Sequence, residues 1–220
     1  DGKPYTLIDT AGIRRRGKTA EMVEKFSVIK TMQAIADANV VVLVLDPIQG
    51  ITEQDSHIAG FALEQGRALV VAFNKWDATD AEQRERAKQE FERRMYFLDF
   101  AETLLVSARA KSGLKGLLAA CRAAYESAMM KMPTPMLTRA LQAAIAQQQP
   151  ARQGQSRPKM RYAHQGGQNP PLIIIHGNSL DKIPATYKRF LEHYFRKAFG
   201  LKGTPLRIEF KSAENPYKNT

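Results

Sequence analysis

Asn74-Lys75-Trp76-Asp77 stands directly after an apolar run, Ala68 to Phe73, that reads as a buried strand. A carboxylate held beyond the end of such a strand can accept two hydrogen bonds from N1 and N2 of guanine, an edge that adenine cannot offer. An acceptor of that kind, left unpaired by the wrong base, discriminates by roughly 10⁴ or more. The plainer reading of the same four residues is an asparagine cap beside a solvated lysine and aspartate. Asp9-Thr10-Ala11-Gly12 closes a second apolar run, Tyr5 to Ile8. An aspartate there can hold Mg2+ through water, and a glycine lets a backbone N–H approach a γ-phosphate. Ser107-Ala108 ends a third run, where a small residue lets a backbone N–H reach a purine carbonyl. D-x-x-G and S-A say little singly. Standing in this order at the ends of three strands, the motifs point together to a guanine nucleotide.

One further match is set aside. Gly12 to Thr19, G-I-R-R-R-G-K-T, fits the phosphate-loop formula G-x-x-x-x-G-K-[ST]. It overlaps D-x-x-G, which in nucleotidases lies well downstream of the phosphate loop, and no second D-x-x-G follows at a suitable strand end. Arg14, Arg15, Arg16 and Lys18 therefore read as an exposed basic loop.

The elements that must position these loops alternate. Strands are expected at Tyr5–Thr10, Val40–Asp46, Ala68–Asn74 and Thr103–Ser107. Helices are expected at Val23–Ala36, Thr52–Gln65, Asp80 to about Leu98 (opened by a capping box of Thr79 and Glu82) and Leu114–Met130. Apolar strands separated by helices predict an α/β fold, a parallel sheet with helices on both faces, whose ligands bind beyond the carboxyl ends of the strands. At Lys131-Met132-Pro133-Thr134-Pro135 two prolines end the last helix and the composition changes. Beyond it a helix at Leu137–Gln147, strands near Lys159–His164 and at Leu172–His176, a helix at Ala185–Phe199 and a strand at Leu206–Phe210 predict a small α+β domain. The expected domains are therefore 1–130 and 131–220.

Charge follows the same boundary. The 220 residues carry 33 Lys+Arg against 22 Asp+Glu, a net +11. Residues 1–130 hold 18 of each sign, whereas 131–220 hold 15 basic and 4 acidic side chains, so the second block carries the whole +11. A one-signed block suggests a polyanion, and nucleic acid suits it better than a membrane because no amphipathic anchor accompanies it. Composition of 44% hydrophobic and 25% charged residues excludes a wholly disordered or collagen-like chain. The longest aliphatic run, Val40 to Leu45, is too short to cross a bilayer. With one cysteine and no charged-then-apolar opening, a cytoplasmic protein without a disulfide framework is expected. Asp1-Gly2 is a hairpin turn signal with a strand on one side only, and no methionine precedes it; the expectation is a fragment cut inside a β-hairpin.

D-G-x-x-Y-x-L-I-D-T-A-G-I-R-R-R-G-K, N-K-W-D, V-S-A and P-T-P-M-L-T-R-A-L, spread over essentially the whole chain, resemble the bacterial double-GTPase family Der, also called EngA, whose members are ribosome-assembly factors. The resemblance implies the second P-loop-type GTPase domain from its switch II strand onward, followed by a KH-like domain. It implies GTP/GDP, Mg2+ and K+ as cofactors. As partners it implies the large ribosomal subunit with its rRNA and an upstream GTPase domain of the same protein. Asp9 (through water), Thr10, Ala11, Gly12 and Ile13 would serve Mg2+ and the γ-phosphate. Asn74, Trp76 and Asp77 would form the guanine loop, Lys75 would pack over the base, and Ser107 and Ala108 would lie near guanine O6. Ile13 stands where Ras-type GTPases place the glutamine that orients the attacking water, which implies hydrolysis without that side chain. The phosphate loop, its Mg2+-binding Ser/Thr and the switch I threonine would all precede Asp1, so the 220 residues alone are expected to be inactive.

In the basic block, Gly200-Leu201-Lys202-Gly203 fits the KH clamp G-x-x-G but follows the long helix, and so reads as a glycine C-cap. Tyr187, Phe190, Leu191, Tyr194 and Phe195 recur at helical spacing as a core stripe, leaving Lys188, Arg189, Arg196 and Lys197 to meet RNA phosphates. His164, His176 and His193 show no metal-ligand spacing and receive no role, and Cys121 reads as a core residue. The rivals are an Era-type GTPase–KH protein, disfavoured by the absence of a G-x-x-G between helices, and a non-enzymatic RNA- or protein-binding module with vestigial nucleotide motifs.

Overall fold

The computed structural model describes residues 4–9, 21–152 (21–27 by backbone alone) and 157–212. The chain divides into two compact units, Asp1–Cys121 and Arg122–Thr220. The division falls inside a helix, upstream of the Lys131–Pro135 segment.

In the first unit the order is α1 (Glu21–Asp37), β1 (Val40–Leu45), α2 (Glu53–Glu64), β2 (Ala68–Phe73), α3 (Ala81–Arg94) and β3 (Glu102–Leu105), and α4 (Leu114–Ala128) starts here. The strands form one parallel sheet in the order β1-β2-β3, with Val40 beside Ala68 and Val70 beside Glu102. All six residues of β2 are buried, the condition under which a strand reads as an unbroken apolar run. One face packs Leu43, Leu45, Leu69, Val71 and Phe73 against Ile35, Ala59, Ala62 and Ala87 of the helices. On the other, α4 lies close enough over β3 that a Cβ on Gly116 would sit 3.7 Å from Leu104.

Two expectations need correction. The described part of Tyr5–Thr10 is irregular, not a strand, with Leu7 92% exposed. A strand needs a ladder partner, and among the described residues none pairs with this segment. Helix α3 is capped one residue later than expected, by Asp80, whose carboxylate accepts from Gln83 N at 2.8 Å. Thr79 is occupied elsewhere: its hydroxyl donates to Trp76 O at 2.7 Å and accepts from Arg84 Nε at 3.1 Å. Helix α3 stops at Met95, and Tyr96–Leu98 forms a separate 3-10 turn.

The second unit takes the expected order: α5 (Thr134–Gln147), β4 (Lys159–Gly167), β5 (Leu172–Asn178), α6 (Ala185–Phe199) and β6 (Arg207–Ser212). Strand β5 is central, antiparallel to β4 and parallel to β6. Pro133 and Pro135 open α5 and so start it earlier than expected; proline costs nothing in a first turn, whose N–H groups have no intrahelical acceptor. Leu137 and Leu141 of α5 and Tyr187, Leu191 and Phe195 of α6 pack with Ala163, Ile173, Ile175 and Ile208 of the sheet in one core. Gly200 ends α6 in the left-handed region (φ +63°), with the Leu201 N–H reaching Arg196 O at 3.0 Å, the C-cap anticipated for G-L-K-G. Strands β4 and β5 approach so closely that a Cβ on Gly177 would lie 2.0 Å from Lys159 O. Cys121 is half-buried, and burial pushes its thiol up. Among the described residues no helix is long and apolar enough to cross a membrane.

Two glycines of the first unit should respond oppositely to alanine. Gly113, just before α4, has φ +76° and would place a Cβ 2.4 Å from Leu105 O, so Gly113→Ala is expected to destabilise by about 1–3 kcal/mol or more. Gly60, inside α2, has open space around it, and Gly60→Ala is expected to stabilise by about 0.5–1 kcal/mol. Urea midpoints of the two variants check both signs.

Candidate guanine-nucleotide site

The carboxyl ends of β1, β2 and β3 carry Asp46, Asn74 and the Val106–Ala108 segment. Parallel pairing continues just past the strands: Asn74 N–H donates to Leu45 O at 2.9 Å and Val106 N–H to Phe73 O at 2.9 Å. Two motifs remote in sequence are then fastened together, because the Asn74 side-chain oxygen accepts the Ala108 N–H at 3.0 Å. Trp76 N–H donates to Val106 O at 3.2 Å, a second tie between the same loops. Ser107 is buried; its N–H goes to Ser112 O at 3.1 Å and its hydroxyl accepts from Ala110 N at 3.0 Å. The Ser107 and Ala108 N–H groups are thus spent on building the loop.

Lys75 sits at φ +61°, a conformation uncommon for a side-chain-bearing residue, and this turns the chain into the 3-10 turn Trp76–Ala78. Its Nζ lies 2.7 Å from Asp46 Oδ2. Burial raises the Asp46 carboxyl, but the Lys75 hydrogen bond, the Ile48 N–H and the Lys75 charge together hold it below its ordinary value. Asp46 is a site residue that motif reading missed; the signal was a lone carboxylate ending an aliphatic strand. The Trp76 ring is wedged 6.1 Å from Phe73, and the Arg84 guanidinium lies over it at 5.2 Å. Arg84, which also donates to Trp76 O at 3.1 Å, is a second missed support. Asp77 stands exposed beyond this frame.

The described residues include the N-K-W-D and S-A stretches in full and only Asp9 of the D-x-x-G stretch. Asn74 and Ala108 are joined by their hydrogen bond, and Asp77 is exposed three residues after Asn74. Of the D-x-x-G stretch only Asp9 is described, as an exposed residue of an irregular segment; Thr10, Ala11, Gly12 and Ile13 lie outside the described residues. Among the described residues no group of three or more His, Cys, Asp or Glu could hold a metal ion by itself. In the second unit, Arg189 and Lys197 are exposed on α6, Lys188 and Arg196 are half-buried, and Arg196 already has a partner.

Both parts of the chain are similar to known proteins. Residues 131–211 match the family described as the KH-domain-like C-terminal domain of EngA bacterial GTPase enzymes, and residues 1–75 match the 50S ribosome-binding GTPase family. GTPase Der of Paraburkholderia phytofirmans is 63% identical over 216 residues, 98% of this chain and 48% of that protein. GTPase Der of Ralstonia pickettii is 60% identical over 217 residues, 99% of this chain and 48% of that protein. Era of Aquifex aeolicus bound to GDP and AlF4− superposes with a TM-score of 0.41 at 16% identity, covering 92% of this chain and 74% of that one. The chain spans about half the length of the Der relatives it matches, and at 60–63% identity across that span it belongs to the Der (EngA) GTPase family.

Proposed function

We propose that the first 130 residues bind the guanine base in a GTP-binding and GTP-hydrolysing domain, and that residues 131–220 form a basic, RNA-contacting KH-like domain of a cytoplasmic factor for large-subunit ribosome assembly. The observation that carries the nucleotide reading is the Asn74–Ala108 hydrogen bond, which holds two loops from neighbouring strand ends in one rigid frame beside the exposed Asp77. With Trp76 wedged and Lys75 tied to Asp46, the loop needs no rearrangement to meet a base. Asp77 then accepts from N1–H and N2–H of guanine. Adenine has no donor on that edge, so the aspartate would lose its water without gaining a partner. Lys75, drawn to Asp46, lies as a positive stem beside the base and not as a free cation. Bound Mg2+ would supply charge neutralisation at the phosphates, with Asp9 serving it through water and the Gly12 backbone the γ-phosphate; K+ would assist in the absence of a glutamine at Ile13. Catalysis of phosphoryl transfer is mostly positioning and electrostatics around the phosphates, and no residue described here supplies that cradle.

The polyanion reading rests on the +11 confined to residues 131–220. A long-range positive field raises the encounter rate with rRNA and makes affinity fall steeply with salt.

Three measurements test these readings. The purified 220-residue chain is expected to show no saturable GTP turnover; turnover would overturn the division between base loop and phosphate cradle. In a full-length Der protein bearing this loop, Asp77→Asn is expected to shift preference from guanine toward xanthine nucleotides, because the amide donates where the carboxylate could only accept. Unchanged GTP affinity and selectivity in competition binding would remove the guanine-loop assignment. In the same full-length protein, replacing Lys188, Arg189, Arg196 and Lys197 with alanine is expected to flatten the slope of log affinity for large subunits against log salt, by about 0.7–0.9 per lost phosphate contact, with GTP hydrolysis nearly intact.

A further inference from the structure

The β4-β5-β6 sheet has one face against α5 and α6, and its other face carries aromatic and cationic side chains. Tyr162 of β4 is opposite His176 of β5, which is opposite Lys211 of β6. Their neighbours Ala163, Ile175 and Phe210 turn the other way, into the helix-covered core. The Tyr162 and His176 rings are stacked with centroids 4.6 Å apart and planes 4° from parallel, and His164 packs against His176 at 5.0 Å. Tyr162 is 44% exposed. Beside the stack opens a cleft of about 180 Å³ lined by Arg161, Tyr162, His176, Asn178, Lys211 and Ser212. Arg161, Asn178 and Lys211 are exposed, and neither cation forms an ion pair with a carboxylate among the described residues. In the cleft wall His176 Nε2 is buried without a hydrogen-bond partner. Buried polar atoms of this kind ordinarily have partners, and this one has none within the protein.

We propose that this cleft takes one unstacked nucleotide of single-stranded RNA, its base against the Tyr162–His176 stack and its phosphate between Arg161 and Lys211. The inference rests on the reading of residues 131–220 as an RNA-contacting domain, and assigns the contact to a surface apart from the α6 cations. Flat rings beside two unpaired cations match what a nucleotide offers, a π-face and a phosphate, within the space of a single residue. An acidic protein surface would answer the two cations without requiring a ring between them, whereas a nucleotide carries both groups in one unit. A duplex buries its bases in its own stack, so the ligand must be single-stranded. Burial, with His164 and Lys211 alongside, pushes the His176 imidazole below its ordinary range, so near neutral pH it meets the base as an uncharged ring.

The test is fluorescence polarisation of the 220-residue chain with a labelled single-stranded oligoribonucleotide of about eight nucleotides, within the footprint usual for such sites. Tyr162→Ala is expected to weaken binding by roughly five- to a hundredfold, the range for loss of one stacked base. Tyr162→Phe should stay near wild type, and Lys211→Ala should reduce the salt slope by about one contact. Circular dichroism checks each variant's fold; if Tyr162→Ala is unfolded, ultraviolet crosslinking of the wild-type chain decides, with the adduct expected on the peptide bearing Tyr162. Strand binding that is lost in the α6 quadruple variant but unchanged in Tyr162→Ala and Lys211→Ala overturns this site and leaves the RNA reading standing. Failure of the wild-type chain to bind the strand overturns both. Equal competition by polyglutamate, insensitive to Tyr162→Ala, marks a merely electrostatic surface and also overturns the site.

Discussion

Strand β2 is buried along its whole length, and this constrains everything near the candidate nucleotide site. Six consecutive apolar residues can be hidden only if both edges are paired and both faces covered. Pairing β1 and β3 in parallel on its two sides brings three carboxyl ends to the same end of the sheet. Asp46, Asn74 and the Val106–Ala108 segment are therefore neighbours although far apart in sequence. Parallel hydrogen bonds run one residue past the strands and hand over to side-chain bonds, Asn74 to Ala108 and Lys75 to Asp46. The site is a continuation of the ladder by other means. Substitutions that loosen β2 would therefore be felt in the loops.

In the second unit, by contrast, the open sheet face is stabilised by its own rings. The outward residues of β4 and β5 pair across the ladder, and aromatic cross-strand pairs steady a sheet where no helix covers it. Tyr162 and His176 can hold the register of β4 on β5 and still present one ring to solvent. The bulge between Met160 and Tyr162 and the close approach at Gly177 set that register. Structural and binding roles are compatible here because stacking on one ring face leaves the other free.

Much of the architecture was legible because its signals are local. Strands β1, β2 and β5 announce themselves as aliphatic runs, α6 as an apolar stripe at helical spacing closed by Gly200, and the domain change as a jump in charge. Boundaries were less secure where a local signal had two users. Thr79 looked like a cap but is consumed by Trp76 and Arg84, and Pro133 and Pro135 looked like a stop but are the start of α5. Tyr5–Ile8 has a strand's composition and no strand's partner, and pairing is not a local property.

The sequence by itself determined the element types, the charge asymmetry and the hydrogen-bonding groups of the candidate loop, since side-chain periodicity and polar groups belong to the residues themselves. Tertiary structure alone decided that Asn74 holds Ala108, that Asp46 holds Lys75, and that Tyr162, His164 and His176 form one stack. Each of these depends on which strand lies beside which and in what register, a choice made by the burial of many side chains together and written in no single stretch of the chain.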